Sequence, residues 1–381
     1  MAWRNALDQE QETAGSVGDI DTNELTKVLN RLGDAAVDPS AWTDVMEEIC
    51  RAVGASAAIL LQSDVRTPDV PRTKAIDEGV KAYFEGNWHL SDPRAKGFPR
   101  MMAGEVVTDQ DLFTPEQIRS DPMYNEVLFP FGFEWFAGVG FWADSAAWAL
   151  TIQRTGREGS FEHGDKRILA QLAPRLTETA TLATLVGRVA ISSMTNVLNQ
   201  VRLPALVLHR LGYVISVNEA AEAGFDEDIR IKGRQLFVKD KIAAKKIERL
   251  LDLIRATSDS VALAIDPIMI HRAEKPPVVL RVLPIDGAAR NVFLGARALL
   301  TFSNLRPYSG PEPSLIAQAF GLTQAESRLV SLIAAGYSVD DVAKRLRITR
   351  ETARNHLKAA FSKTGTHRQS ELVVLVAQLG R

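Results

Sequence analysis

Three basic side chains near the C-terminus are spaced so that a single helix face would present them together. Arg350, Arg354 and Lys358 follow one another at intervals of four residues, and Asn355 lies beside the middle one. Residues four positions apart lie on the same face of a helix. Arginine can donate two hydrogen bonds to O6 and N7 of guanine, and asparagine can pair with adenine. The spacing therefore predicts a helix face whose chemistry suits the edges of base pairs.

Charge is distributed unevenly along the 381-residue chain, although the net charge is only −2. Residues 321–381 hold ten basic and five acidic residues, a net charge of +5, whereas residues 1–320 carry −7. A basic segment attached to an acidic body is typical of nucleic-acid contact. Lys363 and Arg368, near the end of the predicted helix, suit phosphate oxygens, which position a protein on DNA without reading its sequence.

Start and stop signals divide residues 322–379 into short helices. Two pairs of residues, each a hydroxyl residue followed three positions later by an acidic one, are typical of capped helix starts. A threonine precedes the helix that carries the basic face, and two glycines mark helix ends. Two short helices joined by a turn of three or four residues form a helix-turn-helix. The signals are Thr323 with Glu326, Ser338 with Asp341, the cap Thr349, and the glycines Gly336 and Gly365.

These residues resemble the LuxR-type (GerE-like) DNA-binding domain over about 58 residues. The resemblance implies a four-helix domain whose third helix enters the major groove. The sequence departs from the family pattern in two ways. Ala325 stands where a basic residue is usual, and Ala353 and Ala359 stand where larger apolar residues are usual. The matching groups are Leu322-Thr-Gln-Ala-Glu326, Ala335-Gly336-Tyr-Ser338, Val342-Ala343-x-x-Leu346, Thr349-x-x-Thr352, and His356 with Lys363 seven residues later.

Carried over position by position, the resemblance assigns base contacts to Arg354, Asn355 and Lys358 and a phosphate contact to Lys363. The predicted DNA-binding set is Thr349, Arg350, Thr352, Arg354, Asn355, Lys358, Lys363 and Arg368. The main alternative is an adaptor that uses its helix-turn-helix to dock a protein rather than DNA.

The last predicted helix, residues 371–379, is apolar nearly all round. In the resembling family this helix dimerises, which fits inverted-repeat sites whose half-sites lie about 10 bp apart. A C-terminal strand or a simply buried helix are the alternatives. The expected partners are double-stranded DNA, a second copy of the chain, a small-molecule effector and RNA polymerase.

Residues 20–190 mix helix and strand signals and predict an α/β sandwich sensor, similar to a GAF or autoinducer domain. The long helix at its end either joins two domains as a coiled-coil rod or packs on the surface of its own domain. The predicted elements are helices over 21–32 and 39–53 (with Asp38 as cap and Pro39 as first residue), strands over 55–61, 137–142 and 146–153, and a helix over 165–199.

Aromatic residues in this region indicate where a ligand could bind. Tyr83, Trp88 and Asp92, the last followed by proline, resemble the pattern of acyl-homoserine-lactone sensors, in which an aspartate accepts a ligand amide and aromatics wall the pocket. Aromatics are also dense over 129–148, including Trp135. They either line an apolar ligand cavity or build the core. The predicted ligand-binding residues are Tyr83, Trp88, Asp92 and Trp135.

Residues 195–305 resemble a PAS domain in the order of their elements: two strands, helices, and three strands. Strands are predicted over 204–209, 213–217, 261–270, 278–283 and 292–302, with Asn218 capping a short helix and an amphipathic helix over 239–256. His209 and His271 lie at strand ends. They are either ordinary histidines, hydrogen-bonded within the fold or exposed, or ligands of a haem. No cofactor is predicted. The proline-rich stretch 306–316 is predicted to be an extended linker, followed by the DNA-binding domain at 317–381.

Other function classes are disfavoured. The single cysteine, Cys50, excludes an intramolecular disulfide framework. No uninterrupted apolar run approaches 18 residues, so no membrane span and a cytoplasmic location are expected. The sequence lacks His-Glu-x-x-His, Gly-x-x-x-x-Gly-Lys and Gly-x-Ser-x-Gly, so no enzyme is predicted. The sequence as a whole predicts an α+β multidomain protein: an α/β sandwich sensor, a PAS-like antiparallel sheet domain and a four-helix helix-turn-helix domain.

Overall fold

A computed structural model describes residues 19–63, 67–257, 263, 265–303, 305 and 310–380. The chain divides into two compact units. The first comprises Met1–Ala273 and Val278–Ser303, and the second comprises Glu274–Pro277 and Asn304–Arg381. The first unit contains an N-terminal lobe, residues 19–200, and a middle lobe, residues 203–303, each built on its own antiparallel sheet.

The N-terminal lobe is a four-stranded antiparallel sheet in the order β1-β4-β3-β2, covered by helices. Its two longest strands form the predicted hairpin, in which Phe141 pairs with Trp148 and Asp144 takes the left-handed conformation of a tight turn. The elements are α1 Thr22–Val37, α2 Ala41–Ala52, β1 Ala57–Gln62, α3 Asp77–Glu85, α4 Phe98–Met102, β2 Val106–Thr108, α5 Asp109–Leu112, α6 Pro115–Ser120, β3 Phe133–Ala143, β4 Ala146–Thr155, α7 His163–Leu169 and α8 Leu172–Gln200.

Two helix boundaries in this lobe differ from those predicted. Helix α1 continues to Val37, five residues beyond the predicted end, and Asp38 ends it instead of capping the next helix. The Asp38 carboxylate accepts hydrogen bonds from the backbone N–H and hydroxyl of Ser40, at 2.9 and 2.7 Å. This local turn delays the start of α2 to Ala41, with Ser40 at the cap position, so the predicted start at Pro39 is wrong.

The single long helix predicted over 165–199 is interrupted: α7 ends at Leu169 and α8 begins at Leu172. Pro174 explains the break. Its nitrogen cannot donate to the carbonyl of Ala170, and its ring collides with that carbonyl in a continuous helix. Helix α8 then packs along α1 and β3 of the N-terminal lobe and against β5 of the middle lobe, Ala205–His209. It is therefore a packed element of the first unit and not a free rod.

Residues 163–200 are long and apolar enough to qualify as a membrane-spanning helix by length and composition alone, with a mean hydropathy of 1.2 over the qualifying window. This finding is contrary to the expectation that the sequence contains no membrane span. Uninterrupted apolar runs are absent there because Arg175, Glu178 and Arg188 punctuate the stretch. Part of its apolar character serves packing, since Leu176, Ala180 and Ala183 are fully buried in the first unit. Only 28 % of the qualifying window is buried, and a single helix of this kind is weak evidence for a membrane span.

The middle lobe is a five-stranded antiparallel sheet in the order β6-β5-β11-β10-β9 with a separate two-stranded hairpin, β7-β8. Asn218 caps α9 as predicted, by accepting from the N–H of Ala221. Sequence reasoning missed the β7-β8 hairpin, although Ile229 and Ile231 alternate with Arg230 and Lys232 and Gly233 begins the turn. The elements are β5 Ala205–His209, β6 Val214–Val217, α9 Glu219–Glu222, β7 Ile229–Lys232, β8 Gln235–Val238, α10 Lys241–Ala256, β9 Ile268–Ile270, β10 Val278–Pro284 and β11 Ala296–Ser303.

Two of the predicted strand starts of this lobe also need revision. Of the strand predicted over 261–270, residues 261, 262 and 264 lie outside the described residues, and β9 covers only the last three positions. Strand β11 begins at Ala296 instead of Val292. The intervening residues leave the sheet, and Phe293 contacts the N-terminal lobe instead.

Phe293 joins the two lobes of the first unit. Its ring meets Trp42, Phe141 and Trp148 of the N-terminal lobe edge to face, with centroid distances of 5.5, 5.9 and 5.1 Å. Such aromatic pairs add to the energy of area burial. Asp69 of the N-terminal lobe accepts from Arg290 of the middle lobe at 3.0 Å. The two lobes therefore share a core contact and an ion pair.

The second unit is helical in its described part. Helix α11 begins at Pro313, inside the stretch predicted to be an extended linker, because proline suits the first position of a helix. The residues before it are packed, since the hydroxyl of Ser331 donates to the carbonyl of Pro311 at 2.7 Å. Residues 306–309 of the predicted linker lie outside the described residues. The helices are α11 Pro313–Phe320, α12 Gln324–Ala334, α13 Val339–Leu346, α14 Arg350–Thr364 and α15 Gln369–Ala377.

Candidate DNA interface

Helix α14, which carries the predicted basic face, is capped at both ends as the sequence predicts. The hydroxyl of Thr349 accepts from the N–H of Thr352 at 3.1 Å and lies 2.8 Å from the Thr352 hydroxyl. Gly365 ends the helix in the left-handed conformation that glycine adopts without strain. The two threonine hydroxyls therefore define the first turn of α14.

Helices α13 and α14 are joined by a turn of three residues, 347–349. Ser338 caps α13 by accepting from the N–H of Asp341, as predicted. Arg347 ends α13 with a φ of 56°, and its N–H points back to the carbonyls of Ala343 and Lys344. This geometry is a helix-turn-helix, in which the second helix is fixed by its buried side.

Helix α14 is divided into a buried side and a charged side. Ala353, Leu357 and Ala360 are buried in the core of the second unit. That core also contains Ile316, Leu329, Ile333, Val342, Leu372 and Val376. The small side chains Ala353 and Ala360 allow the backbone of α14 to approach its neighbours closely, so the helix is held against the domain along its length.

The opposite side of α14 exposes Arg354, Asn355 and Lys358. Within the described part of the chain, none of these three side chains forms a hydrogen bond or an ion pair. Arg368, at the start of α15, is likewise exposed. Long cationic side chains held on a rigid helix and not engaged by the protein can donate hydrogen bonds to base edges and phosphates.

Arg350 and Lys363, at the two ends of α14, already have acidic partners. Arg350 Nε lies 2.6 Å from a carboxylate oxygen of Asp340 on α13, and both side chains are about half exposed. An exposed pair of this kind contributes little to stability, so the guanidinium can exchange it for a phosphate. Lys363 Nζ donates to Glu326 Oε2 at 2.7 Å.

The Lys363–Glu326 pair ties the end of α14 to the start of α12. The Glu326 side chain is only 8 % exposed, and it also accepts from the N–H of Thr323, completing the predicted capping box. Burial opposes the charge of this carboxylate, but the hydrogen bonds from Lys363 and Thr323 hold the pKa of Glu326 below its ordinary value. Lys363 thus has a structural contact beside the predicted phosphate contact.

Replacing Lys363 with methionine should lower the free energy of unfolding by about 1–3 kcal/mol, because it leaves a nearly buried carboxylate without its charged donor. Urea unfolding of the full chain, followed by the circular dichroism of its helices, measures this. Lys344→Met, at an exposed position on α13, is the matched control and should leave stability unchanged. Equal stability of both variants would show that the Lys363–Glu326 contact is not structural.

Of the four predicted ligand-binding residues, two line a cavity in the N-terminal lobe. The hydroxyl of Tyr83 donates to Asp92 Oδ2 at 2.8 Å, and both residues line the cavity. Trp88 and Trp135 are partly buried against the lobe's apolar core and are not among the lining residues. The placement of Trp135 agrees with the core-building alternative weighed for the aromatics of 129–148, and Trp88 packs against the same core.

The same cavity contains polar residues that sequence reasoning missed. Arg94 lines it and forms a bidentate pair with Asp109, at 2.9 and 3.0 Å. Tyr124 also donates to Asp109, and Gln153 accepts from Arg94 at 3.2 Å. The partners are 15 to 59 residues distant along the chain. No local pattern predicts such a network, because the fold alone brings these residues together.

The two histidines of the middle lobe are packing and surface residues. His209 is buried, stacks on Tyr213 with a centroid distance of 4.1 Å, and accepts from the N–H of Leu211 through Nδ1. His271 is exposed. Burial, followed by the charges of Arg210 and Arg234, lowers the pKa of His209 from 6.5 to about 3. In the described residues, no group of three His, Cys, Asp or Glu side chains is placed to hold a metal ion.

The lowered pKa of His209 predicts a loss of stability at acidic pH. Below pH 6.5 the unfolded chain binds a proton at this histidine and the folded chain does not, so its contribution declines as the pH falls toward 3. Between pH 6.5 and 5 the loss should reach about 2 kcal/mol. His209→Phe should remove that part of the pH dependence in urea unfolding, whereas His271→Phe should retain it. A pH dependence unchanged by His209→Phe would contradict the assignment.

Comparisons with known proteins identify the helical unit. Residues 321–376 match the family model "GerE: Bacterial regulatory proteins, luxR family". These residues therefore form a LuxR-type helix-turn-helix domain, while most of the chain lies outside the match. No curated protein matches the chain.

Solved structures provide distant matches. The chain of "Crystal structure of the phage VqmA-DPO complex" is 14 % identical, with 50 % of this chain and 89 % of that chain covered and a TM-score of 0.20. The chain of "Crystal Structure of the E.coli DhaR(N)-DhaL complex" is 12 % identical, with 73 % and 86 % covered and a TM-score of 0.22.

Proposed function

We propose that this chain is a sequence-specific, DNA-binding transcription regulator that binds DNA as a homodimer and responds to a small molecule through its first unit. The observation that carries the proposal is the exposed side of α14, where Arg354, Asn355 and Lys358 have no partner among the described residues. The family match of residues 321–376 supports the same function. No catalytic role is included.

The proposal assigns different tasks to the residues of α14 and its neighbours. Arg354, Asn355 and Lys358 read base edges, because arginine, lysine and asparagine donate in patterns that distinguish base pairs. Arg350 and Arg368 contact phosphates, while Thr349 and Thr352 hold the first turn of the helix at the DNA backbone. Lys363 can reach a phosphate and retain Glu326, since an ammonium group has three donors.

The dependence of binding on salt tests this function against protein docking. Fluorescence anisotropy of the full chain with duplex DNA should show an affinity that falls as salt rises, with log K against log[salt] steepening by about 0.9 for each phosphate contacted. Arg368→Ala should reduce that slope by about 1 per bound helix-turn-helix domain. Arg328→Ala, at an exposed position on α12, is a matched control. Absence of DNA binding at any salt concentration would leave the adaptor alternative.

Two exposed apolar surfaces support a homodimer. Val374 on α15 is 63 % exposed, although Leu372 and Val376 of the same helix are buried. On α8, Leu182, Leu185 and Val189 are exposed at intervals of three and four residues, which is the spacing of a helix-pairing seam. A second copy of the chain can cover both surfaces with the same residues, as a two-fold symmetric interface requires.

The first unit supplies the sensing function in this proposal. The middle lobe has two strands, a short helix, the β7-β8 hairpin, a longer helix and three strands in that order. Apart from the hairpin this is the predicted order, which supports its assignment as PAS-like. The N-terminal lobe is assigned as an autoinducer- or GAF-like sensor. An effector changes DNA binding only if it binds one arrangement of the protein more tightly than another. Phe293 and Asp69 connect the two lobes and are the contacts through which such a difference would pass. The proposed location is the cytoplasm, with RNA polymerase as the downstream partner.

A further inference from the structure

A cavity lies between one face of the sheet of the N-terminal lobe and the helices that cover it. Residues of β1, β3 and β4 form one wall, and residues of α3, α4 and the neighbouring helical turns form the other. Most of its surface is apolar, as contributed by Ile59, Val80, Met101, Met123 and Phe136. The polar groups lie on a few residues, namely Tyr83, Asp92, Arg94, Thr151 and Gln153. An apolar site with a small number of fixed polar groups is the usual form of a small-molecule site.

The size of the cavity limits its occupant. The cavity has a volume of about 70 Å³. A volume of this size limits the occupant to a compact molecule with one small ring at most. A long acyl chain would require the walls to move.

Arg94 is held rigidly at this cavity. Its guanidinium donates to both carboxylate oxygens of Asp109 and to Gln153, and it lies over the rings of Tyr124 and Phe136, 4.8 and 4.6 Å from their centroids. Bonds to the described residues engage three of its five N–H groups. The guanidinium is thus a preorganised donor beside an apolar space. Ligand binding does not lose free energy in ordering this side chain.

The charges around Arg94 exclude an anionic occupant. Asp109 compensates the guanidinium, and the carboxylate of Asp92 accepts from the backbone N–H of Arg94 at 2.8 Å, so two carboxylates accompany one cation. A ligand carboxylate would add a third negative charge in a region with little water, which is strongly unfavourable. A neutral carbonyl oxygen accepts from a guanidinium without that penalty.

We infer that this cavity binds a compact, neutral carbonyl compound, such as a ketone, ester or amide on a single ring, with its oxygen bound by Arg94 and its apolar body against Val80, Met101 and Met123. A carboxylate of the same size would add a negative charge beside Asp92 and Asp109. A hydrocarbon of the same size would offer Arg94 no acceptor. The binding stands on the cavity alone; only its regulatory consequence rests on the proposed function.

Three probes of nine non-hydrogen atoms test the inference on the purified full chain: acetophenone, benzoate and cumene. With methionine methyl groups labelled, the NMR signals of Met101 and Met123 should shift on addition of acetophenone, and those of Met46 and Met269, which do not line the cavity, should not. Acetophenone should bind at least about tenfold more tightly than benzoate or cumene. A benzoate preference, equal affinities, or shifts confined to other methionines would overturn the inference.

Variants locate the site and the donor. Val80→Phe should fill the cavity and abolish the acetophenone shifts, whereas Val37→Phe, at an exposed position on α1, should keep them. Replacing Arg94 with methionine and Asp109 with leucine together removes the ion pair without leaving a lone buried charge, and should abolish the preference for acetophenone over cumene. A preference that survives in a folded double variant would contradict the role of Arg94. The NMR samples contain no DNA, so this result and the DNA-binding result can fail independently.

Discussion

Replacing Arg354 with alanine should weaken binding to the specific DNA site by about 5- to 150-fold, which corresponds to the 1–3 kcal/mol of a good base contact. The reason is geometric. Arg354 is exposed in the middle of α14, on a helix fixed by the Thr349 cap, the Gly365 end and the buried Ala353 and Leu357. Its side chain has no partner within the described residues, so none has to be broken on binding.

The same substitution should relax the preference at one base pair, because the fork of the guanidinium recognises O6 and N7 of a single guanine. Arg328→Ala also removes one positive charge, but from an exposed position on α12. It therefore distinguishes recognition of a base from the general attraction of positive charge to DNA. Both variants should lose some non-specific affinity, but Arg328→Ala should keep the base preference. If the two variants lose affinity equally and both retain the preference, Arg354 is not a base-reading residue.

Replacing Val374 with aspartate should convert the proposed dimer to a monomer and reduce affinity for a two-half-site duplex by about 100-fold or more, while affinity for one half-site stays within a few-fold. Val374 is the exposed apolar residue of a helix whose buried side packs on its own domain. A charge there would be desolvated in an interface between two copies. Linking two DNA-binding domains raises avidity by about 10²–10⁴ through effective concentration, and this gain disappears in the monomer.

Ile242→Asp is the control for Val374→Asp, because Ile242 is a still more exposed apolar residue of the middle lobe. Analytical ultracentrifugation gives the oligomeric state, and anisotropy gives the two affinities. A wild-type chain that remains monomeric at micromolar concentration contradicts the homodimer. If Val374→Asp stays dimeric and Val189→Asp on α8 becomes monomeric, the interface lies on α8 instead of α15.

The second unit could be predicted closely from the sequence, because its signals are local. The caps Thr323, Ser338 and Thr349 and the glycines Gly336 and Gly365 form contacts within a few residues, so sequence spacing alone defines them. Its basic face could be read in the same way. The Lys363–Glu326 contact could not, because it spans 37 residues and depends on how α12 and α14 pack.

The first unit was predicted less completely, because its decisive contacts are distant in sequence. Phe293 leaves the strand that its neighbours suggest, since three aromatic rings of another lobe offer it more contact than the sheet does. No sequence pattern singles out Arg94, which can be buried because the fold brings Asp109 and Gln153 beside it. The break between α7 and α8 could have been predicted from Pro174, because its ring blocks a continuous helix. The apolar periodicity on both sides of the break favoured a single helix instead.

Selection of duplexes from a random library by the purified full chain tests the central claim most directly. A two-fold symmetric helix-turn-helix dimer should enrich an inverted repeat whose half-sites are centred about 10 bp apart. A variant with alanine at positions 354, 355 and 358 should enrich no sequence. Enrichment of no sequence by the wild-type chain, or of the same repeat by the triple variant, would contradict the central claim.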